Sequence, residues 1–157
     1  LIVETGGLAT ETVDEIFAGK LPALEHLELW FGDDNYGGDT DVTDLEPLLK
    51  ACPFPKLRSL GLCNACYTDE IVEAVADSPL LERLEELDLS KGTLGDEGAK
   101  ILLEVPGFAK LKKLDLQDNF LSPGAAAQIG EYLPNVTTGE QRDAEEYDGD
   151  RYCSVSE

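Results

Sequence analysis

Basic residues are scarce in this sequence. Its 157 residues include 12 lysines and arginines against 33 acidic residues, a formal net charge of −21. Such a surface repels phosphate backbones and anionic lipids, so it argues against nucleic-acid and membrane-surface binding. No apolar run approaches the ~20 residues that a membrane-spanning helix needs. A basic protein partner, a bound cation or simple solubility would each suit this charge.

Cysteines are also few, and they follow no regular spacing. The four are Cys52, Cys63, Cys66 and Cys153. They do not suggest a disulfide framework, which favours a cytoplasmic protein. Cys63 and Cys66 form a CxxC pair, but no helix start directly follows it. A redox or zinc role for the pair is therefore less favoured than two ordinary variable positions.

What the sequence does contain is an internal repeat. Four LxxLxL segments begin at Leu24, Leu57, Leu84 and Leu111, and successive starts lie 33, 27 and 27 residues apart. The opening residues 1–3 fit the end of the same motif, which predicts that further repeats precede them. After each strand-like segment, apolar residues recur at helical spacing and a proline follows. Each repeat is therefore predicted to be a strand followed by a helix.

The pattern LxxLxLxxNxL, in repeats of about 27 residues, resembles the ribonuclease-inhibitor type of leucine-rich repeat. Residues 111–121 match it in full, with Asn119 at the asparagine position. Four other copies carry a small residue there, namely Gly6, Gly32, Ala65 and Gly92. The size of the chain and its closing segment also resemble those of small uncharacterised bacterial leucine-rich-repeat proteins.

This resemblance implies an α/β fold, a curved solenoid with parallel β-strands on its concave face and α-helices on its convex face. We assign residues 1–134 to this domain, as one partial and four recognisable repeats. Residues 135–157 are assigned to a C-terminal cap and acidic tail, with a further strand able to begin at Val136. Beyond the cap we expect a mobile tail. Its acidic residues are Glu140, Asp143, Glu145, Glu146, Asp148, Asp150 and Glu157.

The repeat register places the variable strand positions, and the two residues after each last leucine, on the concave face. Among these positions, Trp30 and Phe31 are adjacent aromatic residues surrounded by carboxylates. Such a pair has the composition of an interaction hot spot. Alternatively, Trp30 packs on the loop that follows it as local core. The predicted partner-binding residues are Glu4, Glu28, Trp30, Phe31, Glu86, Asp88, Asp115 and Asp118.

The first full repeat is six residues longer than the others, and the excess falls in the loop of residues 32–44. Its oxygen-bearing side chains partly mimic the spacing of an EF-hand loop. The default interpretation is a solvated acidic turn, and calcium binding is the alternative. The candidate calcium ligands are Asp33, Asn35, Asp39, Asp41 and Asp44.

Catalysis has little support. The only histidine is His26, and the repeat alignment places Ser59 between His26 and Glu86. A catalytic triad needs its base in the middle, so this order is wrong. The sequence also lacks a phosphate-binding GxxxxGK[ST] loop. We expect no enzymatic activity and no cofactor.

Two functions remain open. The first is a non-catalytic protein-interaction scaffold that binds a partner through the acidic concave face and the 32–44 loop; a partner with a basic surface would suit the charge. The second is a regulatory subunit or inhibitor of an enzyme. A GTPase activator is less favoured, because none of the four arginines lies in the concave rows.

Overall fold

The computed structural model describes residues 1–147 and 149–155. Asp148 and Glu157, both assigned to the acidic tail, lie outside the described residues. The strands are β1 (Ile2–Val3), β2 (His26–Gly32), β3 (Ser59–Ala65), β4 (Glu86–Asp88), β5 (Lys113–Asp115) and β6 (Val136–Thr137). The α-helices are α1 (Thr10–Ala18), α2 (Thr68–Ala76), α3 (Asp96–Glu104) and α4 (Pro123–Tyr132).

The strands form one parallel sheet in chain order, β1-β2-β3-β4-β5-β6. The chain is therefore an α/β fold. Its strand register is the one that the repeat alignment predicts: His26 pairs with Ser59, Ser59 with Glu86, and Glu86 with Lys113. The last strand begins at Val136, where the sequence indicates it.

The core lies between the sheet and the helices. Along β2 burial alternates, so that Leu27 and Leu29 are buried while His26, Glu28 and Trp30 are partly exposed. The corresponding leucines of β3, β4 and β5 are also buried. Each fully buried leucine contributes about 1.5–3 kcal/mol relative to an exposed one. Because every repeat covers its neighbour's leucines, the core runs the length of the sheet.

Backbone groups near the asparagine position of the repeat find hydrogen-bond partners in different ways along the sheet. Asn119 is fully buried; its Oδ1 accepts from Leu94 N at 2.9 Å and its Nδ2 donates to Leu89 O at 2.9 Å. In the repeat that carries Ala65, the hydroxyl of Thr68 donates to Ala65 O at 2.9 Å and accepts from Thr93 N of the next repeat at 2.9 Å. Threonine hydroxyls thus satisfy backbone groups where asparagine is absent.

Backbone geometry changes at, or shortly after, the C-terminal ends of the strands. Asn64, Lys91 and Asp118, equivalent positions in three repeats, adopt left-handed φ angles of 55°, 64° and 56°. Short side chains such as Asn and Asp tolerate this region, whereas Lys does so rarely. After this turn, side chains no longer alternate between the two faces of the sheet, and the chain continues toward the following helix.

Residues 149–155, part of the expected mobile tail, pack back on these turns. Asn64 exchanges two hydrogen bonds with Val155, at 2.7 and 2.8 Å. Ser154 N donates to Lys91 O at 2.9 Å. Arg151 donates to Thr93 O at 2.8 Å and to Asp69 Oδ2 at 3.0 Å. The left-handed turns leave backbone groups that the C-terminal segment satisfies.

Candidate interaction surface

The face of the sheet opposite the leucines carries the polar residues of the strands. We call it the polar face and define it by His26, Glu28, Trp30, Ser59, Glu86, Asp88 and Lys113, which are all exposed or half-buried. Parallel pairing at matched register places these side chains in rows across β2, β3, β4 and β5. One row consists of Glu28, Gly61 and Asp88. Gly61 has no side chain, and the Glu28 side chain lies over it.

Trp30 and Phe31 have different environments. Trp30 is half-buried on the polar face; its Nε1 donates to Glu28 Oε1 at 2.8 Å, and Lys91 Nζ lies 5.7 Å from its ring centroid. Phe31 is only 1% exposed and packs on Tyr67, with ring centroids 5.7 Å apart. The prediction that Phe31 faces a partner is therefore wrong. β2 stays extended as far as Gly32, so strand alternation turns Phe31 toward the core.

The predicted acidic residues differ in exposure. Glu4 and Glu86 are exposed, and Glu28, Asp88 and Asp118 are half-buried. Asp115 is buried, which contradicts its predicted place on an accessible surface. Its carboxylate accepts from Gln117 N at 3.2 Å and from Gln117 Nε2 at 3.0 Å, so local hydrogen bonds hold it against the strand end.

His26, Ser59 and Glu86 form a hydrogen-bonded row on the polar face. His26 Nδ1 lies 2.8 Å from Ser59 Oγ, and Ser59 Oγ donates to Glu86 Oε2 at 2.9 Å. A hydroxyl has a single proton, so Ser59 must accept from a protonated His26 Nδ1. In this arrangement His26 is a donor to the serine and not its base. The geometry matches the order that the repeat alignment indicates and is not that of a triad.

The carboxylates of the 32–44 loop bind backbone amides of the same chain. Asp39 Oδ1 accepts from Thr10 N, at the start of α1, at 2.7 Å. Asp41 and Asp44 form a capping box around a short 3₁₀ helix, Val42–Leu45. Asp41 Oδ1 accepts from the Thr43 hydroxyl and from Thr43 N at 2.7 Å, and these hydrogen bonds hold the pKa of Asp41 below its usual range. The structure thus gives these acids capping roles in the loop.

The five candidate calcium ligands do not converge. Among the residues that the structure describes, one group of three potential ligand residues has its ligand atoms within 4.8 Å of one another, and it consists of Asp33, Cys66 and Cys153. We call it the Asp33–Cys66–Cys153 cluster. Asp33 is the only candidate calcium ligand in it. Calcium takes oxygen ligands, so a cluster with two thiols does not suit it.

Sequence reasoning missed this cluster because it paired Cys66 with Cys63. Cys63 is 1% exposed on the polar face, and burial raises the pKa of its thiol. Cys66 instead meets Cys153 from the far end of the chain. A hydrogen bond from the Cys153 thiol lowers the pKa of Cys66 to about 7. Spacing along the chain carries no signal for this contact; a fold-back of the C-terminal segment is required.

No family model matches this chain. It is 36% identical over 73 residues to mouse Protein NLRC5, a match that covers 46% of this chain and 4% of that protein. A crystal structure of a protein from Bacteroides fragilis is similar at 34% identity and a TM-score of 0.84, over 88% of this chain and 40% of that one. The chain thus spans less than half of either relative. Within the described residues, no helix is both long and apolar enough to cross a membrane. The likeness to the solved structure extends to most of the α/β fold described above.

Proposed function

We propose that this chain is a leucine-rich-repeat solenoid of the ribonuclease-inhibitor type, and that it binds a protein with a basic surface through the polar face. The observation that carries the proposal is the unbalanced charge of that face. Across the described residues, no lysine or arginine forms an ion pair with Glu28, Glu86 or Asp88 on this face, and none does with the exposed Glu4.

The basic residues near these acids are already engaged. Lys113 Nζ lies 3.8 Å from Asp115, and Lys91 Nζ lies 3.8 Å from Asp118 as well as over the Trp30 ring. The negative charge that remains is distributed over neighbouring strands. A partner with lysines or arginines at matching spacing would be attracted from a distance and would then find acceptors within one surface.

The polar face is also held in place before any partner arrives. Trp30 is oriented by its hydrogen bond to Glu28, and the row from His26 to Glu86 is connected by hydrogen bonds. Side chains that are already ordered lose less conformational entropy on association. Trp30 supplies the aromatic group that commonly dominates binding energy at an interface centre.

The 32–44 loop extends this surface at one end. Tyr36 is 51% exposed at its tip, whereas the loop base is fixed by the capping contacts of Asp39 and Asp41. A rigid base with an exposed aromatic tip suits a loop that contributes to the rim of an interface.

If the partner is an enzyme, binding through the same face would regulate it, because this chain would cover part of the enzyme's surface. Activation of a GTPase by a donated arginine has no support from the arginine contacts. Arg83 donates to Phe54 O at 3.0 Å, and Arg142 and Arg151 hold the C-terminal segment. Arg58 donates to Leu57 O at 2.9 Å.

The test compares two triple variants that lose the same charge. One neutralises the polar face while keeping hydrogen-bond acceptors, through Glu28→Gln, Glu86→Gln and Asp88→Asn. The control neutralises exposed acids of α2 and α3, through Glu70→Gln, Glu73→Gln and Glu104→Gln. Proteins captured from cell extract at low salt are identified, and association rates are measured with each purified partner.

We expect the polar-face variant to lose a partner with a basic surface, with association slowed about 10-fold or more at low salt. The helix variant should bind like wild type. Equal binding by both variants, or equal loss in both, would show that the polar face is not the contact surface.

A further inference from the structure

The Asp33–Cys66–Cys153 cluster joins three segments that are distant in sequence. Asp33 follows the end of β2, Cys66 follows the end of β3, and Cys153 lies in the C-terminal segment that packs on the strand ends. Their carboxylate and thiol atoms all lie within 4.8 Å of one another. We propose that this cluster is a binding site for a borderline-soft divalent cation, zinc above all.

The ligand types select the class of metal. Two cysteine sulfurs and one carboxylate oxygen suit zinc, whereas calcium and magnesium take oxygen ligands. Zinc is usually four-coordinate, so three protein ligands leave one position for water or another donor. The strong negative charge of the chain favours any cation at this edge of the sheet.

The ligands are oriented by contacts outside the cluster. The Oδ1 of Asp33 accepts from Asn35 N at 2.7 Å and from Asn35 Nδ2 at 2.6 Å. Such hydrogen bonds fix a carboxylate in the way typical of metal-binding sites, where partners around the ligands set their geometry. The backbone of Asp33 is fixed too, since its N–H donates to Gly6 O at 2.8 Å.

Cys153 is held from both sides. Arg151 anchors the segment before it on Thr93 O and Asp69, and Ser154 and Val155 anchor the segment after it on Lys91 and Asn64. Cys153 itself is 5% exposed. The C-terminal segment therefore delivers this sulfur to Cys66 without needing metal to bring it there.

Binding involves no oxidation or reduction. The cation forms two metal–sulfur bonds and one metal–oxygen bond. The two thiols release their protons to solvent, and the carboxylate is already ionised. The product is a cross-link between the 32–44 loop, the turn after β3 and the C-terminal segment. Metal would then slow local opening of residues 149–155 from the strand ends.

The test is a titration of the reduced 157-residue chain with Co²⁺, followed by displacement with Zn²⁺. Thiolate ligation of Co²⁺ gives a charge-transfer band in the near ultraviolet, and a chromophoric chelator reports zinc affinity by competition. The ligand variants are Cys66→Ser, Cys153→Ser and Asp33→Asn. Two matched controls remove a thiol and an exposed carboxylate outside the cluster: Cys52→Ser and, on α1, Asp14→Asn.

We expect one metal ion per chain and a cobalt band that needs both Cys66 and Cys153. Asp33→Asn should weaken zinc binding at least about 10-fold, since even partners that only orient a ligand contribute that much. Neither control should change affinity. Zinc should also slow amide hydrogen exchange at Ser154 and Val155 in wild type, which tests the cross-link independently of the spectra.

Three results would overturn the proposal: no cobalt band in wild type, a band that survives loss of either cysteine, or equal affinity in Asp33→Asn and wild type. A fourth would point to different chemistry. If the reduced chain takes up no metal but oxidised glutathione converts Cys66 and Cys153 to a disulfide, with release of two reduced glutathiones, the pair is a redox site.

Discussion

The adjacent aromatics Trp30 and Phe31 should respond to truncation in opposite ways. Phe31 is 1% exposed and packs on Tyr67, so Phe31→Ala leaves a cavity beside the core. Truncation of a buried phenylalanine costs about 3–5 kcal/mol of unfolding free energy. That is a large part of the ~5–15 kcal/mol that stabilises a typical domain. Trp30 is half-buried, and its hydrogen bond partner Glu28 stays solvated after truncation, so Trp30→Ala should cost only about 1 kcal/mol.

Urea denaturation of both variants and wild type, followed by circular dichroism, measures these differences. The slope of free energy against urea should stay constant if only stability changes. The effect on partner affinity should be in the reverse order. Trp30→Ala should bind the partner more weakly than wild type. Any loss of binding in Phe31→Ala should be recovered at a lower temperature, where the variant is folded. Equal destabilisation by the two substitutions, or a Phe31→Ala cost below about 1 kcal/mol, would refute the assignment of Phe31 to the core.

Two further substitutions test the backbone contacts between repeats. Asn119→Ala removes a fully buried side chain that satisfies several backbone groups, so we expect a loss of about 3 kcal/mol in urea denaturation. The control is Asn135→Ala, because Asn135 is exposed and its side chain makes one hydrogen bond, to Leu111 O. A similar loss of stability in this variant would contradict the prediction. Gly32→Ala places a Cβ 1.8 Å from Gly6 O at a φ of +74°, so the midpoint should fall well below that of Gly37→Ala. Gly37 shares the left-handed φ but has open space around it, which limits its cost to about 1–2 kcal/mol; equal midpoints would exclude the clash.

Much of the strand arrangement was predictable because the repeat is periodic. Once LxxLxL segments are aligned, the pairing of His26 with Ser59 and of Glu86 with Lys113 follows from one register. Alternation within each strand then separates leucines from polar residues. The N-cap at Ser122, which accepts from Ala125 N at 3.2 Å, was equally readable from local sequence. Thr43 and Glu46 also have capping-box spacing, but Asp41 and Asp44, two residues earlier, form the box.

The aromatic pair shows where the alignment stopped being informative. Asn64 and Lys91 adopt a left-handed φ, but Phe31, at the equivalent position, does not, although β2 and β3 are equally long. The inserted loop after β2 supplies Thr40, whose hydroxyl accepts from Tyr67 at 3.0 Å. The repeat with the insertion thus has a different backbone conformation here, so equivalent positions in the alignment do not have equivalent side-chain directions.

The sequence by itself determined the strand order, the register and the division of each strand into a leucine face and a polar face. These follow from interactions between neighbouring repeats, which a periodic sequence records at fixed spacing. Only the tertiary structure decided that Phe31 is core, that Asp115 is buried, and that Cys66 meets Cys153 rather than Cys63. Asp115 is held by hydrogen bonds with Gln117, whereas the other two outcomes depend on one insertion and on a C-terminal segment that returns to the strand ends. Neither repeats, so neither leaves a periodic signal; each is settled by which buried backbone groups and side chains find partners in three dimensions.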